Sequence, residues 1–294
     1  MEERLKKFAH LVDAGSFTKA AAGMHVSQPA LSAAVAKLER ELRSSLLVHG
    51  ARPLALTPAG ELAYQTAKDL SVQTDNLKLR LAELAERPVT LRIGMIDSIA
   101  DTLFSHGAGL ELAKDARISL VVNNSRYLTE AAERGEIDVA FVAKQQGKLP
   151  AILESRQVAD EPLVIVARPL QHSGSGPTLS NFIAYDQASN TFRLVNQALK
   201  SYGVKPEISF YSTSPDVTLR LVLQNQGTAA LPYLLVREHV ANGELVCLGG
   251  KTPWIVPRPI IVLRRRDREL PAVLKQLTRQ TGDILSSLAS ELES

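Results

Sequence analysis

The segment from Ser16 to Leu47 restricts the possible folds most, because it has the pattern of two helices joined by a tight turn. Three consecutive alanines, Ala20–Ala22, leave room for a second helix to cross closely, as a helix-turn-helix requires. The turn begins at His25, and Ser27 is a good N-cap for the next helix. Pro29 falls in the first turn of that helix, where its missing N–H has no intrahelical partner. The segment therefore predicts a helix-turn-helix.

The second of these helices has a polar outer face. Gln28, Ser32 and Lys37 are left on or near that face. A short helix with a polar front can enter a DNA major groove. The apolar side chains recur at helical spacing and are expected to face the core: Leu31, Val35, Leu38 and Leu42.

A small β-wing is predicted after the second helix. Gly50 and Pro53 punctuate a short hairpin, and Leu54 and Leu56 alternate with smaller residues as in a strand. Arg52 is expected near the tip, within reach of a phosphate or the minor groove. The alternative for Arg52 is a solvated loop charge without a DNA contact.

A long helix is predicted next, because Thr57 can cap it, Pro58 suits its first position, and Pro88 ends it after about Arg87. Its apolar residues alternate at spacings of four and three, which is a heptad seam held for three repeats. Pairing of two chains along this seam is the simplest way to bury it, and packing on its own domain is the alternative. The seam consists of Ala63, Ala67, Leu70, Thr74, Leu77, Leu81 and Leu84.

From Val89 onward, apolar runs rich in β-branched residues alternate with helical stretches. This order predicts a parallel sheet with helices on both faces, organised as two α/β lobes with a cleft between them. Ligands of such sheets bind outside the carboxyl ends of the strands, against helix N-termini. The strands are expected at 91–96, 118–122, 137–143, 162–167, 182–185, 207–211, 229–233 and 259–263.

Candidate ligand-binding residues are the polar side chains expected at helix N-termini around this cleft. Ser98 follows the first strand, Asn124 and Ser125 follow the second, and Ser189 and Asn190 precede a helix of the second lobe. Hydroxyls, amides and backbone N–H groups in such places can hold a small polar or anionic ligand. An ordinary helix cap is the alternative for each residue taken alone.

Enzyme and metal signatures are not apparent in the sequence, which shows neither a Gly-rich phosphate loop, a zinc-type Cys/His cluster nor a nucleophile elbow. Asp97 and Asp101 are four apart and would share a helix face. An acid/base or cation-binding role is conceivable for this pair, but stabilisation of a helix N-terminus is the simpler explanation. We therefore expect no enzyme activity, no metal and no cofactor.

Composition indicates an ordinary globular chain of two domains, with 45% hydrophobic and 22% charged residues in 294. The net charge of +3 permits a nucleic-acid partner without requiring one. The single cysteine, Cys247, cannot form an internal disulfide, and neither a signal peptide nor a membrane-spanning apolar run is visible. These features predict a cytoplasmic protein.

The motifs together resemble the LysR-type transcriptional regulators. The resemblance is strongest over Phe8 to Glu61 and continues more loosely through the whole chain. It is carried by SFTKAA at 16–21, VSQPALS at 26–32, KLERELR at 37–43, LTPAGE at 56–61, GEIDVAFV at 135–142, NQGTAALP at 225–232 and GELVCL at 243–248.

The resemblance implies a winged helix-turn-helix, a linker helix that pairs two subunits, and a two-lobed effector domain similar to periplasmic binding proteins. Such proteins mostly act as tetramers on double-stranded promoter DNA, with a small metabolite shifting their arrangement. The DNA contacts map onto Ser27, Gln28, Pro29, Ser32 and Arg52, to which we add Lys37. The effector pocket maps onto Ser98, Asn124, Ser125, Ser189, Asn190 and Thr213.

Several positions depart from the family pattern. Ala33 and Ala34 replace an arginine and a glutamine, so base readout is expected to rest on Gln28 and on apolar contacts to thymine methyls. Arg43 stands where a glycine usually takes a left-handed turn, so it either accepts about 1 kcal/mol of strain or the turn differs. His49 replaces an arginine, which makes a phosphate contact either absent or pH-dependent.

The sequence thus predicts a DNA-binding regulator whose promoter binding is modulated by a small molecule held between two lobes. We assign residues 1–57 to the DNA-binding domain, 58–88 to the linker helix and 89–294 to the effector domain. Lobe I comprises about 89–163 and 264–294, and lobe II about 164–263. The alternative is a solute-binding or sequestering protein that dimerises through its N-terminal helices.

Overall fold

The computed structural model describes residues 1–293 except 52, 86, 106–115, 170–178, 180, 250–252 and 270–271. The chain divides into two compact units. The first comprises Met1–Glu86 with Asp267–Glu269, and the second comprises Arg87–Arg266 with Leu270–Ser294. The predicted domain and lobe boundaries within these units stay predictions.

The first unit is built on four helices, α1 (Glu2–Ala14), α2 (Phe17–Gly23), α3 (Gln28–Leu42) and α4 (Pro58–Leu84). The caps expected from the sequence form, since Ser27 Oγ accepts from Ala30 N at 3.3 Å and Thr57 Oγ1 from Gly60 N at 3.0 Å. Between α3 and α4 the chain makes an antiparallel bridge between Leu47 and Leu56. The predicted winged helix-turn-helix is therefore confirmed, with a wing reduced to this one bridge. Its core is centred on Phe8, Leu11, Leu31, Leu38 and Leu46.

Helix α4 divides its surface between two kinds of contact. Ala63 and Ala67, the first two residues of the predicted seam, are buried in the core of their own unit. Four seam leucines remain exposed, at 38% for Leu70, 57% for Leu77, 55% for Leu81 and 84% for Leu84. The alternative of packing on the chain's own domain is thus correct for the small residues of the seam.

A second stripe on α4 was not predicted. Tyr64, Lys68, Val72 and Asn76 are buried at intervals of four residues, so they lie along one face of the helix. Asn76 Nδ2 donates to the carbonyl of Asp267 at 2.7 Å, and its Oδ1 accepts from Glu269 N at 3.2 Å. Because Lys68 and Asn76 are polar, the apolar periodicity of the sequence does not indicate this stripe.

The second unit contains one mixed sheet with strand order β2-β1-β3-β9-β4-β7-β5-β6, and β8 pairs with β4. Its strands are β1 (Val89–Met95), β2 (Ala116–Val122), β3 (Val139–Ala143), β4 (Leu153–Ala167), β5 (Phe182–Tyr185), β6 (Ile208–Ser212), β7 (Thr228–Pro232), β8 (Val246–Cys247) and β9 (Ile255–Arg265). Its helices are α5 (Asp97–Ser105), α6 (Ser125–Glu133), α7 (Asn190–Ser201), α8 (Pro215–Leu223), α9 (Tyr233–Ala241) and α10 (Ala272–Glu293).

The expected parallel pairing is correct within each lobe and wrong for the strands that connect them. β1 pairs in parallel with β2 and β3, and β5 with β6 and β7. β4 and β9 are antiparallel to each other, β9 is antiparallel to β3, and β4 to β7. Residues 144–152, which connect β3 to β4, contain no helix. Two consecutive strands can pair in parallel only through a longer crossover connection, usually a helix, so β4 cannot be a parallel neighbour of β3. β9 therefore lies between β3 of the first lobe and the long strand β4.

Lobe II has a core on each face of the sheet, as predicted for a covered sheet. Along β4, Leu163 and Ile165 contribute to one cluster, whereas Val164 and Val166 contribute to the other. Such alternation follows from the two-residue period of a strand. The carboxyl ends of the parallel strands thereby remain the part of the sheet that is available to a ligand.

Candidate functional site

The first candidate site is the polar face at the start of α3. Ser27, Gln28, Pro29, Ser32 and Lys37 are all exposed. The first four lie at the start of α3, whereas Lys37 is nine residues beyond Gln28 and on the other side of the helix. The predicted contact at Arg52 lies outside the described residues. Since the N-terminal residues of a recognition helix meet base edges, this surface has the geometry of a DNA-reading face.

Gln28 is oriented by a neighbour that the sequence analysis missed. Its Oε1 accepts a hydrogen bond of 3.4 Å from Thr18 Oγ1 on α2. This contact uses one of the two lone pairs of the Gln28 amide oxygen, so the side chain can still both donate and accept. Of the two alanines that replace polar family residues, Ala33 is exposed beside Ser32 and Ala34 is half-buried. The expected loss of donors at Ala33 thus concerns an exposed position, and that at Ala34 a half-buried one.

The end of α3 explains how the chain accommodates Arg43. This residue adopts the left-handed conformation at φ 50° and ψ 35°, and Ser44 N donates to the carbonyl of Glu39 at 3.1 Å. These bonds form the usual helix-terminating motif despite the missing glycine. Of the two outcomes left open by the sequence, Arg43 accepts the strain. Glu39 Oε1 also accepts from Leu46 N at 2.7 Å, which fixes the start of the wing.

The second candidate site is a small, open recess in the surface of the second unit, called the cavity below. The first turns of α5 and α8 face each other across it, and both contribute aspartates. Burial and then the negative charge of Asp216 raise the pKa of Asp97. The cavity is lined by Asp97, Ser98, Asp101, Pro215, Asp216, Pro232, Leu234 and Leu235.

A buried ion pair lies behind the cavity wall at Ser98. Arg258 Nε donates to Glu161 Oε2 at 2.8 Å, and Arg258 Nη2 donates both to that carboxylate and, at 2.8 Å, to Ser98 Oγ. The side chains of Arg258 and Glu161 are 6% and 3% exposed. Burial alone would lower the pKa of Arg258, but the Glu161 carboxylate raises it, which keeps the guanidinium charged. The pair joins β4 to β9 and fixes the hydroxyl that the cavity presents.

Tyr185 adds a neutral group to this cluster. Burial raises its pKa to about 12, although the charge of Arg258 acts in the opposite direction. Its hydroxyl and Glu161 Oε1 are buried without a hydrogen-bond partner in the described part of the chain. Sequence reasoning missed Glu161, Tyr185 and Arg258, since each lies within a strand and the pairing of β4 with β9 was not foreseen.

The other predicted effector residues do not line this cavity. Asn124 and Ser189 act as helix caps, accepting from Tyr127 N at 2.9 Å and Phe192 N at 3.1 Å. Ser125 and Asn190 instead meet at the end of β3. Ser125 Oγ accepts from Ala143 N at 3.1 Å, and Asn190 Nδ2 donates to the carbonyl of Lys144. Thr213 is exposed between β6 and α8. The structure thus brings Ser125 and Asn190 together at a second place.

The residues that the structure describes contain no cluster of His, Cys, Asp or Glu that could hold a metal ion, and none of their helices is long and apolar enough to cross a bilayer. Cys247 lies half-buried in β8, and burial raises the pKa of its thiol. A raised pKa lowers the thiolate fraction at neutral pH.

Comparison with known proteins gives a consistent result. Residues 3–61 match the bacterial regulatory helix-turn-helix protein of the lysR family, and residues 85–284 match the LysR substrate binding domain. The hca operon transcriptional activator HcaR of Escherichia coli K12 is 30% identical over 262 residues, covering 85% of this chain and 88% of HcaR. The regulator CatR of Pseudomonas putida is 30% identical over 291 residues, covering 93% and 96% of the two chains.

Among solved structures, DarR of Vibrio fischeri in complex with DNA has a similar fold. Its TM-score is 0.54 at 22% identity, with 98% of this chain and 99% of DarR covered. The similarity therefore extends over both units of the chain.

Proposed function

This chain belongs to the LysR-type transcriptional regulators, and we propose that it reads its operator with the exposed face of α3 and senses a small polar molecule in the cavity between α5 and α8. As a member of that family it is a DNA-binding regulator with an effector domain, not an enzyme. The alternative, a solute-binding protein, does not require the helix-turn-helix domain that residues 3–61 form. The observation that carries the proposal for α3 is the shared exposure of Ser27, Gln28, Ser32 and Lys37.

In this proposal Gln28 discriminates bases, while Lys37 and Arg52 contact phosphates. Glutamine pairs with adenine through both the oxygen and the nitrogen of its amide. The Thr18 hydroxyl donates to one lone pair of Gln28 Oε1, so the second lone pair and the amide N–H groups are proposed to read the base. Phosphate contacts position a protein on DNA without specifying sequence.

Gln28→Ala tests this division. It is expected to reduce the preference for the operator over random DNA by about tenfold, since one good base contact contributes about 1–3 kcal/mol. Binding to random DNA should keep its salt dependence, because that term comes from phosphates. A titration on the region upstream of the chain's own gene provides the measurement, with Lys37→Ala as the matched variant that should weaken all DNA alike. An unchanged operator preference in Gln28→Ala would contradict the assignment.

The effector is proposed to be cationic or neutral and polar. Helix N-termini favour anions, but Asp97 and Asp216 already occupy the positive ends of α5 and α8. The cavity-lining residues include no cation to offset these charges. An anionic effector would therefore meet net negative charge. Ser98 Oγ, held by Arg258, offers the hydrogen bond that orients the ligand.

Thermal-shift screening tests the charge class, because a ligand that binds only the folded state raises its stability. Butane-1,4-diamine and butanedioate form a matched pair with the same carbon frame and opposite charge. Stabilisation by the diamine that disappears in Asp97→Asn/Asp216→Asn would support the proposal, and stabilisation by the dicarboxylate alone would contradict it.

The assembly of the protein is proposed from the exposed leucines of α4, and its location from its binding to DNA. The exposed leucines at 70, 77, 81 and 84 of α4 are proposed to pair two chains, with two such dimers forming a tetramer. Because a regulator of transcription must reach promoter DNA, we propose that the protein acts in the cytoplasm. The contributions of Asn124, Ser125, Ser189, Asn190 and Thr213 to effector binding stay predictions.

A further inference from the structure

We propose that α1 is a strut that fixes the direction of α4 relative to α3, with Asp13 as its positioning residue, and that it thereby sets the spacing between the two DNA half-sites. The inference rests on the proposed function, in which α3 reads DNA and α4 pairs two chains. It concerns only contacts within the first unit.

Besides its apolar packing on α4, α1 contacts α4 at one end through the carboxylate of Asp13. Asp13 Oδ1 accepts from the Tyr64 hydroxyl at 2.6 Å, and Oδ2 accepts from Lys68 Nζ at 2.7 Å. Tyr64 and Lys68 are both 8% exposed, and Lys68 Nζ lies 5.3 Å from the Tyr64 ring centroid. The two donors are one helical turn apart on α4. Two bonds to one carboxylate therefore restrict the rotation of α4 as well as its tilt.

At its other end, α1 is fixed to α3. Arg4 Nε donates to Glu41 Oε2 at 3.1 Å and Arg4 Nη2 to Glu41 Oε1 at 2.6 Å, which is a bidentate pair near the end of the reading helix. Phe8, which is fully buried, packs between these two polar contacts. Arg4 and Asp13 are nine residues apart, about 14 Å along a helix. The contacts with α3 and α4 are thus separated along one rigid element.

The geometry of α4 amplifies any change at Asp13. Leu84 is 26 residues from Pro58, so the end of the exposed leucine seam lies about 40 Å from the start of the helix. A tilt of about 10° at the base would displace that end by about 7 Å, which corresponds to about two base-pair steps of 3.4 Å. Half-site spacing is a geometric property of a dimer. A bond that holds the tilt therefore also holds the spacing.

Selection of binding sites from a random DNA pool by the full-length protein tests the proposal and does not require the operator sequence. Asp13→Asn removes the carboxylate charge that Lys68 contacts, and Asp13→Asn/Lys68→Met removes both charges of the pair. Tyr64→Phe removes only the hydroxyl and serves if the other variants lose helical content. Glu3→Gln is the matched control, because Glu3 is also a carboxylate of α1 but pairs with Lys7 of the same helix at 2.8 Å.

Wild type and Glu3→Gln are expected to select paired half-sites at one spacing. The Asp13 variants should select additional spacings one or two base pairs away. Their affinity for the wild-type spacing should fall about tenfold, because misaligned sites lose effective concentration. Affinity for a single half-site should stay within about twofold, which a general loss of structure would not allow.

Two results would overturn the proposal. If the Asp13 variants and Tyr64→Phe all select the single wild-type spacing, α1 does not set it, although DNA reading by α3 would stand. If wild type itself selects no paired half-sites, the dimeric DNA binding on which the inference rests fails with it.

Discussion

Breaking the buried pair between Glu161 and Arg258 should strongly destabilise the effector domain. In Glu161→Leu, the guanidinium of Arg258 would remain inside the protein with Ser98 as its remaining partner from this cluster. Removing one member of a buried ion pair costs about 3–5 kcal/mol, because the other charge is left without compensation. The bond to Ser98 places the expected loss near the lower end, at about 3 kcal/mol.

Urea unfolding followed by tryptophan fluorescence measures this loss. Trp254 is the single tryptophan of the chain and stacks on Tyr202 with ring centroids 5.2 Å apart, so its emission reports on the domain that contains the pair. In a thermal scan, about 3 kcal/mol corresponds to a drop of about 6–12 °C for a domain of this size.

The double variant Glu161→Leu/Arg258→Met separates the energy of the pair from that of its surroundings. Because a buried pair can be replaced by apolar residues with little loss, the double variant should be within about 1 kcal/mol of wild type. A coupling energy of about 2 kcal/mol or more is then expected from the mutant cycle. A loss below about 1 kcal/mol in Glu161→Leu, or additive losses in the double variant, would refute the reasoning.

Three further predictions concern other parts of the chain. Arg43→Gly should stabilise the first unit by about 0.5–1 kcal/mol, since relief of left-handed strain exceeds the extra unfolded-state entropy of glycine. Urea unfolding followed by circular dichroism measures this stability, and Arg43→Ala should show no gain. Leu77→Lys/Leu81→Lys should shift the sedimentation of the protein toward the monomer, whereas exposed Leu62→Lys on the same helix should not. The raised pKa of Asp97 means that its ionisation opposes folding, so stability is lost as pH rises from the unfolded pKa of about 3.8 through the folded value. Asp97→Asn should therefore be stabilised relative to wild type at pH 7 but not at pH 3, and equal differences at both values would contradict the assignment.

The N-terminal domain could be predicted almost completely from the sequence because its signals are local. Caps at Ser27 and Thr57 and the periodic leucines of α3 each act within a few residues, and all formed as expected. The polar front of α3 and the heptad seam of α4 already indicated DNA reading and chain pairing, and the family resemblance added the effector domain to this picture. The left-handed conformation of Arg43 could not be predicted, because the sequence is equally compatible with a strained turn and with a different turn.

The effector domain was less predictable because its site depends on contacts between distant segments. Glu161 and Arg258 are 97 residues apart, and they meet only because β4 and β9 pair in antiparallel register. The polar N-terminal part of β4 did not have a strand pattern, so neither the register nor the pair could be inferred. Asp216 similarly gains importance only when α8 faces α5 across the cavity. Ser98 was found because a residue directly after a parallel strand is a local signal.

The division of α4 between a buried and an exposed face has a consequence for the order of assembly. Ala63, Tyr64, Ala67 and Lys68 are buried within their own chain, so the first half of the helix can form during folding of a single polypeptide. In the proposed dimer the exposed leucines at 70, 77, 81 and 84 are covered only when a second chain binds, so their pairing depends on protein concentration. A newly synthesised chain would thus fold its helix-turn-helix domain first and bind a second copy of the chain in a later, bimolecular step. Dilution should reverse only the binding of the second chain and leave monomers whose helix-turn-helix domains remain folded.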